Sequence, residues 1–461
     1  MTPQLLRDTL ARLDCNLLER DVPVRLLLLG ALAGEHVLLI GPPGTAKSEL
    51  ARRLHRVFAG ARYFERLLTR FSVPEELFGP LSLKALEQDR YERLTHGFLP
   101  TAQVAFLDEV FKANSAILNA LLTLLNEREF DNGSGREQVP LISVVGATNE
   151  VPDDEALHAF YDRFLLRVPV GPVGDASFTN LLTLPADLSS MQPAPHEAAK
   201  QSITQPMCLQ LQQRAHAVAL PESVTILLVQ ARAWCAAQSI TVSDRRWRKV
   251  VALLKVQAAT RVEAAVDAWD AWLLPYALAA TPQQSEQMVQ WFMHTVARAA
   301  PLDVQWLQRA AEAFEKQLDI ERRAPTPDDD GAGKLALARA IAGPQADNEV
   351  GMLRIVSERA QRRYSQVHID ARCAQVSEAL ERAQATWGSV RATALEALTQ
   401  ASAHLWLPPS WLARIAAVHH ANEVLAADLV ERLTLLHQAF AAMPVDSQAN
   451  AQTPEPVALV A

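Results

Sequence analysis

The sequence predicts an α/β domain built on a parallel sheet, followed by two all-helical regions. Over residues 1–175, short apolar runs rich in branched side chains alternate with helix-like patterns, which is typical of a parallel sheet covered by helices. Over residues 206–320, apolar residues recur every three or four positions and strand-like alternation is almost absent. Over residues 334–440, the apolar spacing is that of a coiled-coil seam, which predicts a helical arm.

Length and composition agree with several soluble domains. The 461 residues are about three times a usual domain length of ~150, so two or three domains are expected. An apolar fraction of 49% with 21% charged residues excludes collagen-like, mucin-like and wholly disordered chains. The net charge of -8 argues against broad electrostatic binding to nucleic acid and leaves only a local basic patch open.

The expected location is the cytoplasm. The longest apolar stretch, residues 24–40, contains Arg25, Glu35 and His36 and is shorter than a bilayer-spanning helix, so no integral membrane segment is expected. The first twenty residues are rich in charge and lack the apolar core of a secretory signal. The four cysteines are far apart in sequence, and we expect them to be reduced and mostly buried.

Four strands are expected in the first domain. They are the apolar runs His36–Ile40, Val104–Leu107, Leu141–Ala147 and Phe164–Val170. Gly, Pro, Ser and Asp then accumulate over residues 171–205, and a second polar stretch covers residues 323–333. Both stretches indicate domain boundaries.

The helical arm has expected breaks of its own. Its apolar spacing runs through residues 353–398, with a break of register after Ala371. Pro408–Pro409 ends this run, and Ser410 is expected to cap a further helix. Residues 441–461 are polar and proline-rich, and we expect a disordered tail there.

A phosphate-binding loop directly follows the first expected strand. Its residues are Gly41, Pro42, Pro43, Gly44, Thr45, Ala46, Lys47 and Ser48, and Glu49 continues into a helix. In such a Walker A loop the backbone amides surround a polyphosphate, Lys47 reaches the β- and γ-phosphates, and the Ser48 hydroxyl binds Mg²⁺. Ala46 replaces the usual glycine, which is a small deviation if its φ is negative. The loop predicts ATP or ADP with Mg²⁺ as cofactors.

Two carboxylates and an amide follow neighbouring expected strands. Asp108 and Glu109 end the second strand, where two acids require a cation. We expect Asp108 to hold Mg²⁺, directly or through water, and Glu109 to polarise the attacking water. Asn149 follows the third strand and would orient that water; an ordinary turn asparagine is the alternative.

Arginines complete the candidate catalytic set. Arg163 is expected on the far side of its own domain, where it would serve a neighbouring subunit's nucleotide; such an arginine accelerates phosphoryl transfer by about 10³ to 10⁵. The alternative is a surface arginine paired with Asp162. In the helical region, Arg245 or Arg246 at a helix start could fold back onto the γ-phosphate.

These motifs resemble the AAA+ ATPases of the MoxR type, most closely the regulatory ATPase variant (RavA) subfamily. The resemblance extends over the first ~320 residues. It rests on the loop at 41–48, FLDEV at 106–110 and SDRRW at 243–247, with further similar segments at 70–80, 90–100 and 405–414.

The resemblance implies an AAA+ P-loop core with an all-α lid domain over residues 206–320. It also implies an insert near residues 74–99 and a hairpin near residues 130–136, both facing the pore of a hexameric ring. RavA-like proteins carry a small β-rich module in the arm, and residues 324–404 show no strand series, so a partner recruited by that module is not assumed.

The resemblance also implies site roles and a partner. Asn149 is similar to sensor 1, Arg163 to the arginine finger and Arg245 to sensor 2, with Arg246 as the rival for the last role. Proteins of this family work with a partner that carries a von Willebrand factor A (VWA) domain.

Three functions fit the motifs. The first is an ATP-driven chaperone or remodelling ATPase acting on a protein client. The second is a DNA-associated motor, which a basic hairpin tip would favour. Here the tip has only Arg136 beside Asp131 and Glu137, which argues against this function. The third is a nucleotide-gated scaffold with little turnover, against which both Asp108 and Glu109 argue.

Overall fold

The chain forms two compact units. The computed structural model describes residues 1–133, 135–152, 154–184, 202–323, 363–446 and 453–458. The first unit is Met1–Arg298 with Thr399–Arg414, and the second is Ala299–Leu398 with Ile415–Ala461. The division near residue 298 differs from the expected lid boundary at residue 320, because the helix that starts at Gln305 packs with C-terminal helices.

A five-stranded parallel sheet forms the centre of the first unit. Its strands are β1 (Val37–Ile40), β2 (Tyr63–Leu67), β3 (Val104–Asp108), β6 (Ser143–Thr148) and β7 (Leu166–Pro169), in the order β2-β3-β6-β1-β7. The four expected strands are present. The sequence did not indicate β2, because this edge strand is half exposed and carries Glu65 and Arg66 in place of a continuous apolar run.

Eight helices accompany this sheet in the described part of residues 1–184. They are α1 (Pro3–Asp14), α2 (Asp21–Ala33), α3 (Lys47–Val57), α4 (Pro74–Phe78), α5 (Leu83–Leu86), α6 (Ser115–Glu127), α7 (Glu155–Tyr161) and α8 (Asp175–Thr183). Helix α2 is apolar on nearly every side because it lies between the sheet and helices of the lid.

The expected insert and hairpin are both present and contact each other. The hairpin consists of β4 (Glu129–Asp131) and β5 (Arg136–Gln138). At its tip the buried Asn132 accepts a hydrogen bond of 2.7 Å from the backbone of Arg93 in the insert. A Cβ at Gly133, whose φ is +77°, would lie 1.9 Å from the carbonyl oxygen of Tyr91. Only glycine fits this contact, so hairpin and insert are held together.

The lid consists of helices from residue 205 onward. They are α9 (Gln205–Ala217), α10 (Glu222–Ala237), α11 (Asp244–Thr260), α12 (Leu274–Leu278) and α13 (Pro282–Thr295), with a 3₁₀ segment over Ala268–Leu273. Two tryptophans of the lid, Trp269 and Trp272, are buried in its core.

Residues 399–414 complete the lid core from a distant part of the chain. Trp406 is fully buried and donates a 2.7 Å hydrogen bond to the Thr260 hydroxyl. Trp411 packs against Trp272 and Phe292 with ring centroids 6.0 and 5.2 Å apart. The tryptophans therefore fix this segment to the lid.

The second unit is helical. It contains α14 (Gln305–Arg323) and most of α15 (Gln366–Ala403) and α16 (Pro409–Ala441). The expected break of register after Ala371 does not interrupt α15. The expected cap at Ser410 is wrong: α16 starts at Pro409, which suits a first helical position, and the Ser410 amide donates to Asp21. A β-rich module is not expected over residues 324–404. Residues 324–362 lie outside those described, so only the part from residue 363 onward can be compared with this expectation.

Described residues of the tail, where the sequence predicts disorder over residues 441–461, make contacts in the second unit. Val445 forms a β-bridge with Tyr364, and Arg372 donates a 2.7 Å hydrogen bond to the Glu455 carbonyl. Val457 packs against the apolar cluster of this unit. This short polar segment is held by the hydrogen bond from Arg372 and by the contact of Val457 with the apolar cluster. Residues 447–452 and 459–461 lie outside the described residues.

Two further findings concern the whole described chain. None of its described helices combines the length and the apolar character needed to cross a bilayer. All four cysteines are free, but only Cys208 and Cys235 are buried, whereas Cys15 is exposed.

Candidate functional site

The Walker A loop joins β1 to α3 at the carboxyl edge of the sheet. A Cβ at Gly41 would lie 2.0 Å from the carbonyl oxygen of Val170, so no larger residue fits there. Gly44 has a φ of +80°. The Lys47 ammonium donates to the carbonyls of Gly41 and Pro42 at 2.6 and 2.9 Å, which holds the lysine over the loop. The loop therefore encloses a space bordered by backbone amides, one ammonium group and the start of α3.

Ala46 does not meet the expected condition on its backbone. Its φ is +67°, in the left-handed region, where the sequence-based expectation required a negative angle. The turn from the loop into α3 demands this conformation, which glycine adopts freely and alanine adopts at a cost of about 1–2 kcal/mol. The loop thus carries backbone strain at the residue before its lysine.

Lys47, Asn149 and Glu109 form a connected line at the sheet edge. The Asn149 amide donates to the Glu109 carboxylate at 2.5 Å, and its oxygen lies 3.5 Å from the Lys47 ammonium. Asn149 follows β6, which lies between β1 and β3 in the sheet. Neighbouring parallel strands therefore bring together three residues that are far apart in sequence. Glu109 also forms an ion pair with Lys112 at 3.3 Å.

The predicted metal ligands suit a hard cation. Asp108 ends β3, and one of its carboxylate oxygens accepts from the Glu109 amide at 3.0 Å, which leaves its other oxygen for a further contact. Ser48 lies in the first turn of α3. A hydroxyl and a carboxylate are oxygen ligands of the kind that Mg²⁺ prefers. Glu49, expected among the nucleotide-binding residues, instead forms an ion pair with Arg53 at 2.9 Å.

Burial lowers the pKa of Lys47, and the nearby charges of Asp108 and Glu109 partly oppose this shift. The ammonium is buried without a direct carboxylate partner, since its hydrogen bonds go to two carbonyls and one amide oxygen. A polyanion entering the loop would supply the missing counter-charge. The Lys47 ammonium is therefore available to a phosphate at this loop.

Arg20 supports the loop from behind, and sequence reasoning missed it. Its guanidinium is buried and donates to the carbonyls of Thr45 at 3.3 Å and Gly171 at 2.7 Å. It thereby joins the Walker A loop to the chain that follows β7. A single arginine between two helices gives no sequence signal for this role.

The predicted arginines lie at the opposite, amino edge of the sheet. Arg163 precedes β7 by three residues, and Asp162 does not pair with it but with Arg246 and Arg167, at 2.8 and 3.4 Å. The alternative of a simple Asp162–Arg163 pair is therefore wrong. The buried Nε of Arg163 has no hydrogen-bond partner in the described part of the chain.

Arg245 and Arg246 start α11 but differ in environment. Arg246 is buried, with only 4% of its surface exposed, and it is bonded to backbone oxygens. Arg245 is exposed and donates to Asn126 at 3.0 Å. Arg246 is thus occupied by contacts within its own chain, whereas Arg245 projects outward.

Arg245 lies far from the Walker A loop of its own chain. One turn after Arg245, Lys249 forms a 2.6 Å ion pair with Glu35, which precedes β1. The chain from Glu35 to Gly41 rises about 20 Å at ~3.3 Å per residue. Arg245 therefore lies at the far edge of the sheet from the Walker A loop of its own chain.

Comparisons with known proteins agree with this geometry. Residues 4–212 match the family model of the MoxR domain in MoxR-vWA-beta-propeller ternary systems, and residues 223–292 match the AAA lid domain. An uncharacterized protein of Methanocaldococcus jannaschii is 44% identical over 244 residues, which are 53% of this chain and 62% of that protein. The chaperone MoxR1 of Mycobacterium tuberculosis is 31% identical over 157 residues, 33% of this chain and 40% of that protein. The chain thus spans less than two thirds of the length of these relatives.

A solved structure supports the fold. The crystal structure of a candidate ATPase from Cytophaga hutchinsonii superposes with a TM-score of 0.50 at 17% identity, over 64% of this chain and 94% of that one. The parallel sheet and the Walker A loop lie within the residues that match the first model, and most of helices α10–α13 lie within those that match the second. Residues 4–212 are thus similar to the MoxR domain of such systems, and residues 223–292 to the AAA lid domain.

Proposed function

We propose that this chain hydrolyses ATP with Mg²⁺ at the carboxyl edge of its sheet. The observation that carries the proposal is the hydrogen-bonded line from Lys47 through Asn149 to Glu109, with separations of 3.5 and 2.5 Å. Lys47 neutralises the β- and γ-phosphates, while Ser48 and Asp108 would hold Mg²⁺, which supplies charge stabilisation when bound. Glu109, held by the Asn149 amide, takes a proton from the attacking water.

The site is completed by a neighbouring copy of the chain. Arg163 and Arg245 lie at the amino edge, about 20 Å from the Walker A loop of the same subunit at ~3.3 Å per strand residue. A second subunit docked with its amino edge against this carboxyl edge brings both arginines toward the phosphates. Such a head-to-tail interface closes into a ring when the rotation is right. The family resemblance favours a hexamer.

The relatives point to a chaperone-like role with a partner. The matching family model is named for systems that combine MoxR, a VWA domain and a β-propeller, and one relative is named a chaperone. We propose a VWA-domain partner and a protein client for this chain, acting in the cytoplasm. We further propose that the chain is closest to the RavA subfamily, on the segments at 41–48, 70–80, 90–100, 106–110, 243–247 and 405–414.

A DNA-associated motor is less well supported. The expected DNA contact is a basic hairpin tip, but Arg136 is paired with Glu127 at 3.0 Å and with Glu129 at 3.6 Å. The hairpin thus offers little positive charge to phosphates. A scaffold with little turnover is opposed by the position of Glu109, which already has the amide partner that a catalytic base needs.

The test is steady-state ATPase activity of the full chain against protein concentration. We compare wild type, Glu109→Gln, and an equal mixture of Lys47→Ala with Arg163→Ala, because an Arg163→Ala subunit keeps its nucleotide site and a Lys47→Ala subunit keeps its arginine. Arg56→Ala, which removes an exposed arginine from α3, is the matched control.

Specific activity should rise with concentration, vanish in Glu109→Gln and return partly in the mixture, while Arg56→Ala behaves as wild type. Activity that is flat with concentration, together with full activity of Arg163→Ala, would contradict the shared site and favour a monomeric switch or scaffold. Stimulation of the ATPase by DNA but not by a protein client would favour the motor.

A further inference from the structure

Arg246 makes an unusual set of contacts for a lid residue. Its guanidinium donates to the backbone oxygens of Ala277, Asp162, Phe164 and Leu165 and to the Asp162 carboxylate, at distances between 2.5 and 3.4 Å. It reaches these oxygens from the first turn of α11 in the lid. One planar fork therefore ties the lid to the loop between α7 and β7.

The bonded residues of this loop lie on both sides of Arg163. Asp162 precedes it, and Phe164 and Leu165 follow it. Arg167 adds a second tie, since it donates to the Asp162 carboxylate at 3.4 Å and to the carbonyl of Ala279 in the lid at 3.3 Å. Two arginines, Arg246 and Arg167, thus join the backbone that carries Arg163 to the lid, whereas the Arg163 side chain takes no part in these contacts.

The same residue sets the direction of Arg245. Consecutive helix residues point about 100° apart, so a buried Arg246 requires Arg245 to project away from the core. The Ser243 hydroxyl caps this turn by accepting from the Arg246 amide at 3.3 Å. Arg245 accordingly extends outward to Asn126. The positions of Arg163 and Arg245 therefore both depend on one buried arginine.

Packing alone does not account for this choice of residue. Arg246 and Arg167 share a single carboxylate, Asp162. Burial and the nearby charge of Arg246 lower the pKa of Arg167 to about 9. Apolar residues of similar volume often stabilise such a site as well as buried ions do, but they do not fix a loop in one geometry. The cluster of Arg246, Arg167 and Asp162 is therefore suited to holding the loop between α7 and β7 in one position.

We propose that Arg246 is a positioning residue that holds Arg163 and Arg245 as one block for the nucleotide site of the neighbouring subunit. The proposal rests on the shared site proposed above and extends it to the lid. Any shift of α11 moves the loop that carries Arg163 with it, so the lid position of one subunit determines the ATPase activity of the neighbouring subunit. Arg246 itself contacts backbone oxygens and the Asp162 carboxylate of its own chain.

The experiment uses mixtures with a defined direction. Acceptor subunits carry Arg163→Ala and keep their nucleotide site; donor subunits carry Lys47→Ala and keep their arginines. Arg246→Lys, which retains the charge but cannot span the carbonyls, is added to the donor in one mixture and to the acceptor in another. Arg261→Lys is the matched control, since Arg261 is another lid arginine bound to a buried carboxylate, Asp270, at 2.6 Å.

The expected result is directional. Arg246→Lys in the donor should lower the restored ATPase activity by on the order of 10²-fold, the usual effect of displacing a catalytic group by about 1 Å. In the acceptor it should leave the restored activity and the affinity for a fluorescent ADP analogue nearly unchanged. Arg261→Lys should act weakly and equally in both positions.

Two outcomes separate the failure of this proposal from that of the proposed function. If the donor with Arg246→Lys restores activity as well as the donor without it, Arg246 does not position the arginines, although the shared site stands. If no donor restores activity, the shared site itself fails. Should Arg246→Lys not fold, Asp162→Asn in the donor tests the same clamp, and an equal loss in donor and acceptor would also overturn the proposal.

Discussion

Replacing Ala46 by glycine should stabilise the protein. The φ of +67° costs an alanine about 1–2 kcal/mol relative to a right-handed conformation, and glycine escapes this penalty. Glycine also makes the unfolded chain more flexible, which offsets about 0.4–1 kcal/mol of the gain. The net expectation is a free energy of unfolding higher by about 0.5–1 kcal/mol. Ala46 is also the N-cap of α3, a position where glycine is preferred over alanine.

Urea unfolding of the nucleotide-free chain, followed by tryptophan fluorescence, measures this change. The matched control is Ala233→Gly, because Ala233 is an exposed residue of α10, one turn before the end of that helix, with ordinary helical backbone. That substitution should lower the free energy of unfolding by about 1 kcal/mol. The same change of residue thus has opposite signs at the two positions. If Ala46→Gly destabilises the chain as Ala233→Gly does, the left-handed conformation of the loop is refuted.

Three further predictions concern single side chains. Burial lowers the pKa of His36 well below 6.5, so the free energy of unfolding should fall by up to about 1.4 kcal/mol per pH unit below 6.5, where the unfolded chain takes up the proton first. His36→Gln should lose this dependence when urea midpoints near pH 7.5 and near pH 5.5 are compared. Trp406→Ala empties a fully buried site and should cost about 3–5 kcal/mol in thermal unfolding, whereas Leu435→Ala, at an exposed position, should change little. Asn149→Ala should lower kcat by about 10²–10³ with unchanged ADP affinity, since one preorganised donor is lost; an equal loss of affinity would contradict its role in orienting water.

The sequence predicts the parts of this molecule that depend on local spacing. The Walker A loop follows a strand and precedes a helix because glycines, lysine and serine stand at fixed separations, and parallel strand ends then place Asp108 beside Asn149. The sequence pattern does not predict strand β2, because an edge strand needs only one apolar face. Both outcomes follow from hydrophobic periodicity, which indicates which residues are buried but little else about the structure.

The remaining parts depend on which of two similar side chains is buried. Arg245 and Arg246 are adjacent and chemically identical, so nothing in their order shows that one meets four carbonyls and the other Asn126. The sign of φ at Ala46 is likewise set by the angle at which the loop enters α3. Such features arise from tertiary geometry, which a single sequence does not encode in a readable pattern.

The lid core cannot be completed until the tryptophans of the segment 399–414 have been synthesised. The lid residues up to Arg298 leave the ribosome first, but Trp406 and Trp411 follow roughly 100 residues later, or about 5–20 s at usual elongation rates. During that interval Trp272 and Phe292 have no covering partner from this segment. A nascent chain with an unfinished lid is therefore a natural substrate for general chaperones, and a recombinant fragment that stops at residue 298 should expose apolar surface and aggregate.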